Sequence, residues 1–147
     1  MCLSVDIRYC WLLLNPRFVT QMHQHEKVNY VEMPFNDLDG TKSFFRAVFG
    51  WELQEWGPDY LAFTDEGLDG GFYRTDQTMQ ANNGSALVIF YSIDLESTLG
   101  KVESTGAKVN KPTYYFPGGR RFHFLDPNGN EFAVWSDHEQ DGTLVQS

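Results

Sequence analysis

Glu32 carries the most chemical potential in this chain. It lies in the stretch YVEMPF, where alternation along an extended segment puts it on the same side as Tyr30. A carboxylate on an aromatic face can act as a general base or anchor a cationic ligand. Tied to backbone, or to Arg120 or Arg121, it is instead a structural acid. Arg120 and Arg121 follow Gly118-Gly119 and can clamp an acidic ligand group over a cavity mouth, or stand solvated at the surface. His23 and His25 are spaced so that a strand would put both imidazoles on one face, where they could take a metal. No Cys or carboxylate lies beside them at a motif spacing, so QMHQHEK reads first as a polar linker. No serine or cysteine nucleophile with a nearby base is visible, and no phosphate-binding loop.

The elements that must position these groups are legible from residue 28 onward. Residues 28–35 alternate as a strand, with Val31 and Met33 on one side and Tyr30, Glu32 and Pro34 on the other. Asp37 or Asp39 can cap a helix. That helix carries Leu38, Thr41, Phe44, Phe45, Val48 and Phe49 on one face and Lys42, Ser43 and Arg46 on the other. Gly50 supplies the left-handed residue that ends it. Short strands are expected over 51–56, 60–64 and 71–74, and a polar, structureless linker over 76–84. The second half starts over: a strand over 85–92, a helix capped by Asp94 and closed by Gly106, and a strand beginning at 107–110. An irregular aromatic stretch, a mobile loop at 117–119 and two strands follow, at 120–125 and 130–135. Asp126-Pro127-Asn128-Gly129 joins those two, with Pro and Gly at the second and fourth turn positions.

The two halves therefore repeat one βαβββ unit. Asp37-Leu38 and Gly50 recur at nearly the same spacing as Asp94-Leu95 and Gly106. The expected organisation is an N-terminal extension (1–26), a first module (27–75), a linker (76–84), a second module (85–137) and a polar, fraying tail (138–147).

The 147 residues suit one domain or two half-domains sharing a core. A net charge of −9 argues against nucleic acid, whose binding is driven by Lys and Arg, and against an anionic membrane surface. The only cysteines, Cys2 and Cys10, lie outside the periodic region and make no disulfide framework. The short apolar run at 10–14 falls far below a membrane span and is flanked by Asp6, Arg8, Pro16 and Arg17, which spoil a signal peptide. A cytoplasmic protein is expected.

The stretch VEMPFNDLDGTKSFFRAVFGW resembles the opening of a module of the vicinal oxygen chelate superfamily, which includes glyoxalase I, bleomycin-resistance proteins and extradiol dioxygenases. FHFLDPNGNEFAVW resembles its closing hairpin. The resemblance covers about residues 27–137. It implies an α+β fold in which paired βαβββ modules form a curved, mostly antiparallel eight-stranded sheet around a cavity, helices outside, usually in a homodimer. It also implies where metal-dependent members would hold a divalent ion. Those positions fall on Tyr30, on Leu87, near Gly70, Gly71 or Phe72, and on Ala133. Leu and Ala offer no lone pair, and a phenol is a poor ligand for the metals concerned. The reading therefore carries no metal and no cofactor.

Register then gives the cavity-facing candidates: Tyr30 and Glu32; Leu87, Ile89 and Tyr91; and Glu131, Ala133 and Trp135. If the turn pairs Leu125 with Asn130, Phe122 and Phe124 join them and His123 faces the helices; a turn bulge reverses this. With 16% aromatic residues, these rings either fill the interior as core or line a pocket for an apolar or planar molecule, with Arg121 at its rim. The expected function is metal-free binding of an unidentified small molecule, with Glu32 the weak catalytic candidate. The alternative is a divalent-metal-dependent lyase, isomerase or dioxygenase of the same superfamily.

Overall fold

The structure, a computed structural model, describes residues 23–146. The proposed extension, Cys2 and Cys10 lie largely or wholly outside those residues. The first module runs β1 (Tyr30–Phe35), α1 (Leu38–Phe49), β2 (Gln54–Glu55), β3 (Tyr60–Glu66) and β4 (Leu68–Arg74). The second runs β5 (Val88–Tyr91), α2 (Leu95–Ser104), β6 (Val109–Phe116), β7 (Gly119–Leu125) and β8 (Glu131–Ser136). The strands form two four-stranded sheets, ordered β1-β4-β3-β2 and β5-β8-β7-β6. In each, the first strand of the module runs parallel to the last and the other pairs are antiparallel. The α+β architecture is as expected. The eight strands divide four and four and do not close into a barrel.

Local chemistry sets the helices. Asp37 accepts from Gly40 N at 2.9 Å and Asp94 from Ser97 N at 3.0 Å, satisfying N–H groups that a helix start leaves unpaired. Gly50, at φ 72°, ends α1 with its N–H on Arg46 O. The apolar stripe of α1 is buried as its spacing requires, with Thr41, Phe44, Phe45 and Val48 innermost. This helix joins both modules in one core. The Phe45 ring lies 5.1 Å from Phe72 of β4 and 5.6 Å from Phe132 of β8, and Phe49 stacks on Phe90 of β5 at 4.1 Å.

Several boundaries differ from the sequence reading. Trp51 and Leu53 are pulled into the core, leaving only Gln54–Glu55 to pair as β2. Asp65 (φ 64°) and Gly67 (φ 92°) make a tight corner, so β4 begins at Leu68. Leu87 falls just before β5 and is half-buried. The aromatic stretch after 109 is a single edge strand, β6, whose register shifts accommodate Pro112. Pro117-Gly118 is a two-residue hairpin turn with Gly118 at φ 98°, where a mobile loop was expected. The tail folds back instead of fraying: Glu139 N donates to Thr143 O and Val145 N to Asp137 O, each at 2.7 Å.

The linker is anchored by the closing turn of the other module. Met79 N donates to Asn130 Oδ1 at 2.9 Å, and Glu131 N donates to Met79 O at 2.7 Å. The polar residues of the turn, Asp126, Asn128 and Asn130, are buried. Asp126 Oδ1 accepts from the backbone N–H groups of Asn128 and Asn130 at 2.9 and 2.8 Å. Asn128 Oδ1 accepts from Asn36 N and Asp37 N at 3.0 and 2.9 Å, and its Nδ2 donates to Thr41 Oγ1 at 2.8 Å. Asn130 Nδ2 donates to Pro34 O at 2.7 Å. Burial pushes the Asp126 carboxyl up, opposed by those donated hydrogen bonds.

The turn also decides the faces of β7 and β8. Gly129 N donates to Asp126 O at 3.0 Å, and Asp126 N donates to Asn130 O at 2.9 Å. With Gly129 at φ 85°, this is a type I turn followed by a glycine bulge. Leu125 consequently pairs with Glu131, not with Asn130. That shift of one residue corrects the expected faces: Phe122 and Phe124 point into the core beside Val134 and Phe132, and His123 stands on the opposite face beside Ala133.

Removing the Asn128 side chain leaves two backbone N–H groups at the start of α1 without their acceptor. Asn128→Ala should lose about 2–4 kcal/mol of stability. Urea unfolding should show a lower midpoint with an unchanged slope.

Candidate functional site

Each sheet turns one face to the shared core, and its other face carries the polar side chains. On the first sheet, Tyr30 and Glu32 meet through Tyr60. The Tyr60 hydroxyl donates to Glu32 Oε1 at 2.9 Å and shares a hydrogen bond of 2.6 Å with the Tyr30 hydroxyl. Gly71 makes this possible, since a Cβ there would lie 2.2 Å from the Tyr60 Oη. Burial is the main cause that pushes the Tyr60 phenol well above its ordinary range, and the bonds to Tyr30 and Glu32 push the same way. Glu32 is held by a phenol, not by Arg120 or Arg121. Tyr30 remains 47% exposed.

On the second sheet, Ile89, Tyr91, Ala133, Trp135 and Arg121 share the outer face, as register requires. Tyr91 meets Trp135 edge-on at 5.2 Å between centroids. Beneath them lies a chain of polar groups. Glu131 Oε2 is 3.4 Å from His123 Nδ1, His123 Nε2 is 2.9 Å from the Tyr114 hydroxyl, and Arg121 Nε donates to that same hydroxyl. His123 is 2% exposed and Glu131 5%. Burial pushes the His123 imidazole below its ordinary range; Glu131 opposes this, while Lys111 and Arg121 reinforce it.

Arg120 faces the other way. It is 5% exposed and holds Glu96 of α2 through two bonds, at 2.5 and 3.1 Å. It is therefore a structural ion pair, neither a clamp at a cavity mouth nor a solvated cation. His23 and His25 lie in an exposed turn, not on a strand; His23 bonds Asn29 and His25 neighbours Glu26.

A third feature lies at the seam between the modules. A largely apolar crevice of about 460 Å³ is lined by Val31, Met33, Trp51, Phe63, Val88 and Phe90, with Glu66 in its wall and the exposed Ile89 and Tyr91 at its border. The proposed site residues thus fall into separate groups. Tyr30 and Glu32 stand together, Ile89 and Tyr91 adjoin the crevice, and Ala133, Trp135 and Arg121 share the second outer face. Phe122 and Phe124 are core. Sequence reasoning missed Tyr60 and Tyr114. Gly71 was the available signal for the first, because a strand glycine marks a close approach.

The family model of the glyoxalase/bleomycin resistance protein/dioxygenase superfamily matches residues 27–134. The chain belongs to this superfamily. No curated protein matches its sequence. Among solved structures, it is similar to the fosfomycin resistance protein FosX of Listeria monocytogenes. That match has 17% identity and a TM-score of 0.64, covering 82% of this chain and 100% of that one. A glyoxalase-related enzyme of Fulvimarina pelagi matches at 15% identity and a TM-score of 0.63, over 83% and 99% of the two chains. Lactoylglutathione lyase of Agrobacterium tumefaciens matches at 21% and 0.59, over 76% and 93%. At these identities the likeness is one of fold.

The residues present do not fit the divalent ion that the superfamily's metal-dependent members hold. Tyr30 is engaged with Tyr60, Gly71 is covered by the Tyr60 phenol, and Leu87 and Ala133 have no donor atom. Among the described residues no three His, Cys, Asp or Glu side chains converge as a metal group, and no helix is long and apolar enough to cross a membrane.

Two titrations should report this geometry. The His123 imidazole is neutral by preference in the fold, so the unfolded chain binds more protons as pH drops. Stability should fall on acidification below about pH 6.5 and fall less steeply in His123→Gln, measured by urea unfolding across pH. At the alkaline end the sign reverses. Tyr60 keeps its proton in the fold, so its contribution is complete below about pH 10 and is lost above it; Tyr60→Phe should flatten that loss.

Proposed function

We propose that this chain is a metal-free member of its superfamily that binds a small apolar or aromatic molecule. The observation that carries the reading is the seam crevice. Its volume of about 460 Å³ suits a small ligand, and its walls are mainly aliphatic and aromatic side chains contributed by both modules, with Glu66 the one acidic group among them. Trp51 and Phe63 lie 4.4 Å apart at their centroids and would offer ring surface to a planar guest. Ile89 and Tyr91, exposed at the border, would close over it. The donor-poor positions at Tyr30, Leu87 and Ala133 support the metal-free part. The reading includes a homodimer. Tyr30 and Tyr73, large side chains left exposed on the outer face of the first sheet, support a second copy covering that face.

The test uses 1-naphthol as a probe. Titration should move the Trp51 indole N–H resonance saturably, and Val88→Trp, which fills the crevice, should abolish the response while leaving the circular dichroism intact. No saturable shift, or undiminished binding by Val88→Trp, would overturn the reading. Titration with Ni, Zn, Fe and Mn should give no stoichiometric complex by elemental analysis. Stoichiometric uptake would favour the metal-dependent enzyme. Sedimentation should give twice the monomer mass.

A further inference from the structure

Arg121 stands apart from the other described arginines. Arg46 pairs with Glu52, Arg74 with Asp59 and Arg120 with Glu96. Arg121 pairs with no carboxylate among the described residues, although the chain carries a net charge of −9. It is half-buried on the outer face of the second sheet. Its guanidinium lies 5.2 Å from the Tyr114 ring centroid and 5.4 Å from that of Phe116, which fix its plane. Its Nε is used on the Tyr114 hydroxyl. Its two Nη atoms make no hydrogen bond to the described residues and present the planar fork that suits a carboxylate or phosphonate. Lys111 stands opposite His123 in the β6–β7 ladder, on the same face, and adds a second positive charge.

Behind this fork lies a group that can change its proton count. The charged and titratable groups facing His123 are Lys111 and Tyr114 from β6, Arg121 from β7 and Glu131 from β8. With the imidazole neutral and its Nδ1–H on Glu131, Nε2 accepts from the Tyr114 hydroxyl. That hydroxyl hydrogen is then committed to the protein. When Nε2 is protonated, the bond reverses: imidazolium donates to Tyr114 Oη, and the Tyr114 O–H is free to donate outward. An anion on Arg121 favours this reversal, because it offsets the two positive charges that oppose protonation of His123.

We propose that the outer face of the second sheet binds a small carboxylate or phosphonate on Arg121 and Lys111, and that a proton moves onto His123 as Tyr114 turns its hydroxyl to the anion. Tyr114 and Arg121 touch the ligand; His123 and Glu131 are positioning residues. The one bond formed is N–H at His123 Nε2, and the one broken is that of the solvent or buffer acid to the proton it gives up. The proton comes from solvent, and the site gains one negative and up to one positive charge. Arg121, Lys111, Tyr114, His123 and Glu131 line no part of the seam crevice.

The test is calorimetric titration of the protein with benzoate, which is ionised throughout and brings no proton of its own, near pH 6, just below the ordinary histidine pKa of about 6.5, in MES and in bis-tris. The heats should differ between buffers in the sense of proton uptake, and affinity should rise as pH falls. Arg121→Gln should weaken binding about ten-fold or more, and Arg121→Lys, which keeps the charge without the fork, should weaken it less. His123→Gln should bind with equal heats in both buffers and no pH dependence, which a merely structural histidine would not produce. Undiminished affinity in Arg121→Gln, or the absence of saturable heat, would overturn the anion site. Identical heats in both buffers for the unmodified protein would overturn the proton coupling.

Discussion

Three buried polar side chains, Asp126, Asn128 and Asn130, hold the molecule together at one corner. Buried amides and carboxylates are costly unless every donor and acceptor finds a partner. Here they find them across the module boundary. Asn128 reaches the start of α1, Asn130 reaches both Pro34 and the linker residue Met79, and Asp126 locks the turn that presents them. A hydrophobic core alone would let the two modules slide, because apolar contact is non-directional. This network gives their packing a fixed geometry, and the aromatic rings of α1 fill the space so defined.

The same corner decides what chemistry the second sheet can present. Strand faces alternate residue by residue, so one extra residue in the turn reverses every side chain beyond it. The bulge at Gly129 sends Phe122 and Phe124 inward and His123 outward, where His123 meets Glu131 and Tyr114. At the start of β7, Arg120 is drawn inward to Glu96 while its neighbour Arg121 is left facing out without an acid. Two adjacent arginines thus take opposite roles, one as a tie between helix and sheet, the other as an available cation.

Membership of the superfamily brings a fold and not a reaction. The positions that the resemblance assigns to metal ligands are held here by a phenol already engaged, by aliphatic side chains and by glycine. The Tyr60 phenol occupies the space above Gly71 that a larger residue would need. The polar groups that do converge, Tyr30 with Tyr60 and Glu32, and Tyr114 with His123 and Glu131, form hydrogen-bonded chains, not ligand shells. Such chains suit the holding and moving of protons and the orientation of polar ligand groups.

What the chain by itself determined is what depends on neighbours a few residues apart: the βαβββ repeat, the caps at Asp37 and Asp94, the stop at Gly50, the buried stripe of α1, and a turn at Asp126–Gly129. The unsuitability of Leu87 and Ala133 as ligands was also legible, since it is a property of the side chain. Tertiary structure decided the rest. Whether that turn holds a bulge depends on the partners Asn128 and Asn130 find in the other module. The local turn chemistry of Asp126 and Gly129 and these non-local anchors together put His123 outside. The linker looked free because its polarity says nothing of Asn130 waiting to accept from Met79 N. Arg120 and Arg121 are sent to opposite faces by the alternation of the strand, and only the tertiary structure brings Glu96 of α2 to the first of them. Non-local contacts of this kind leave no periodic trace, because each depends on a partner whose distance along the chain sets no pattern.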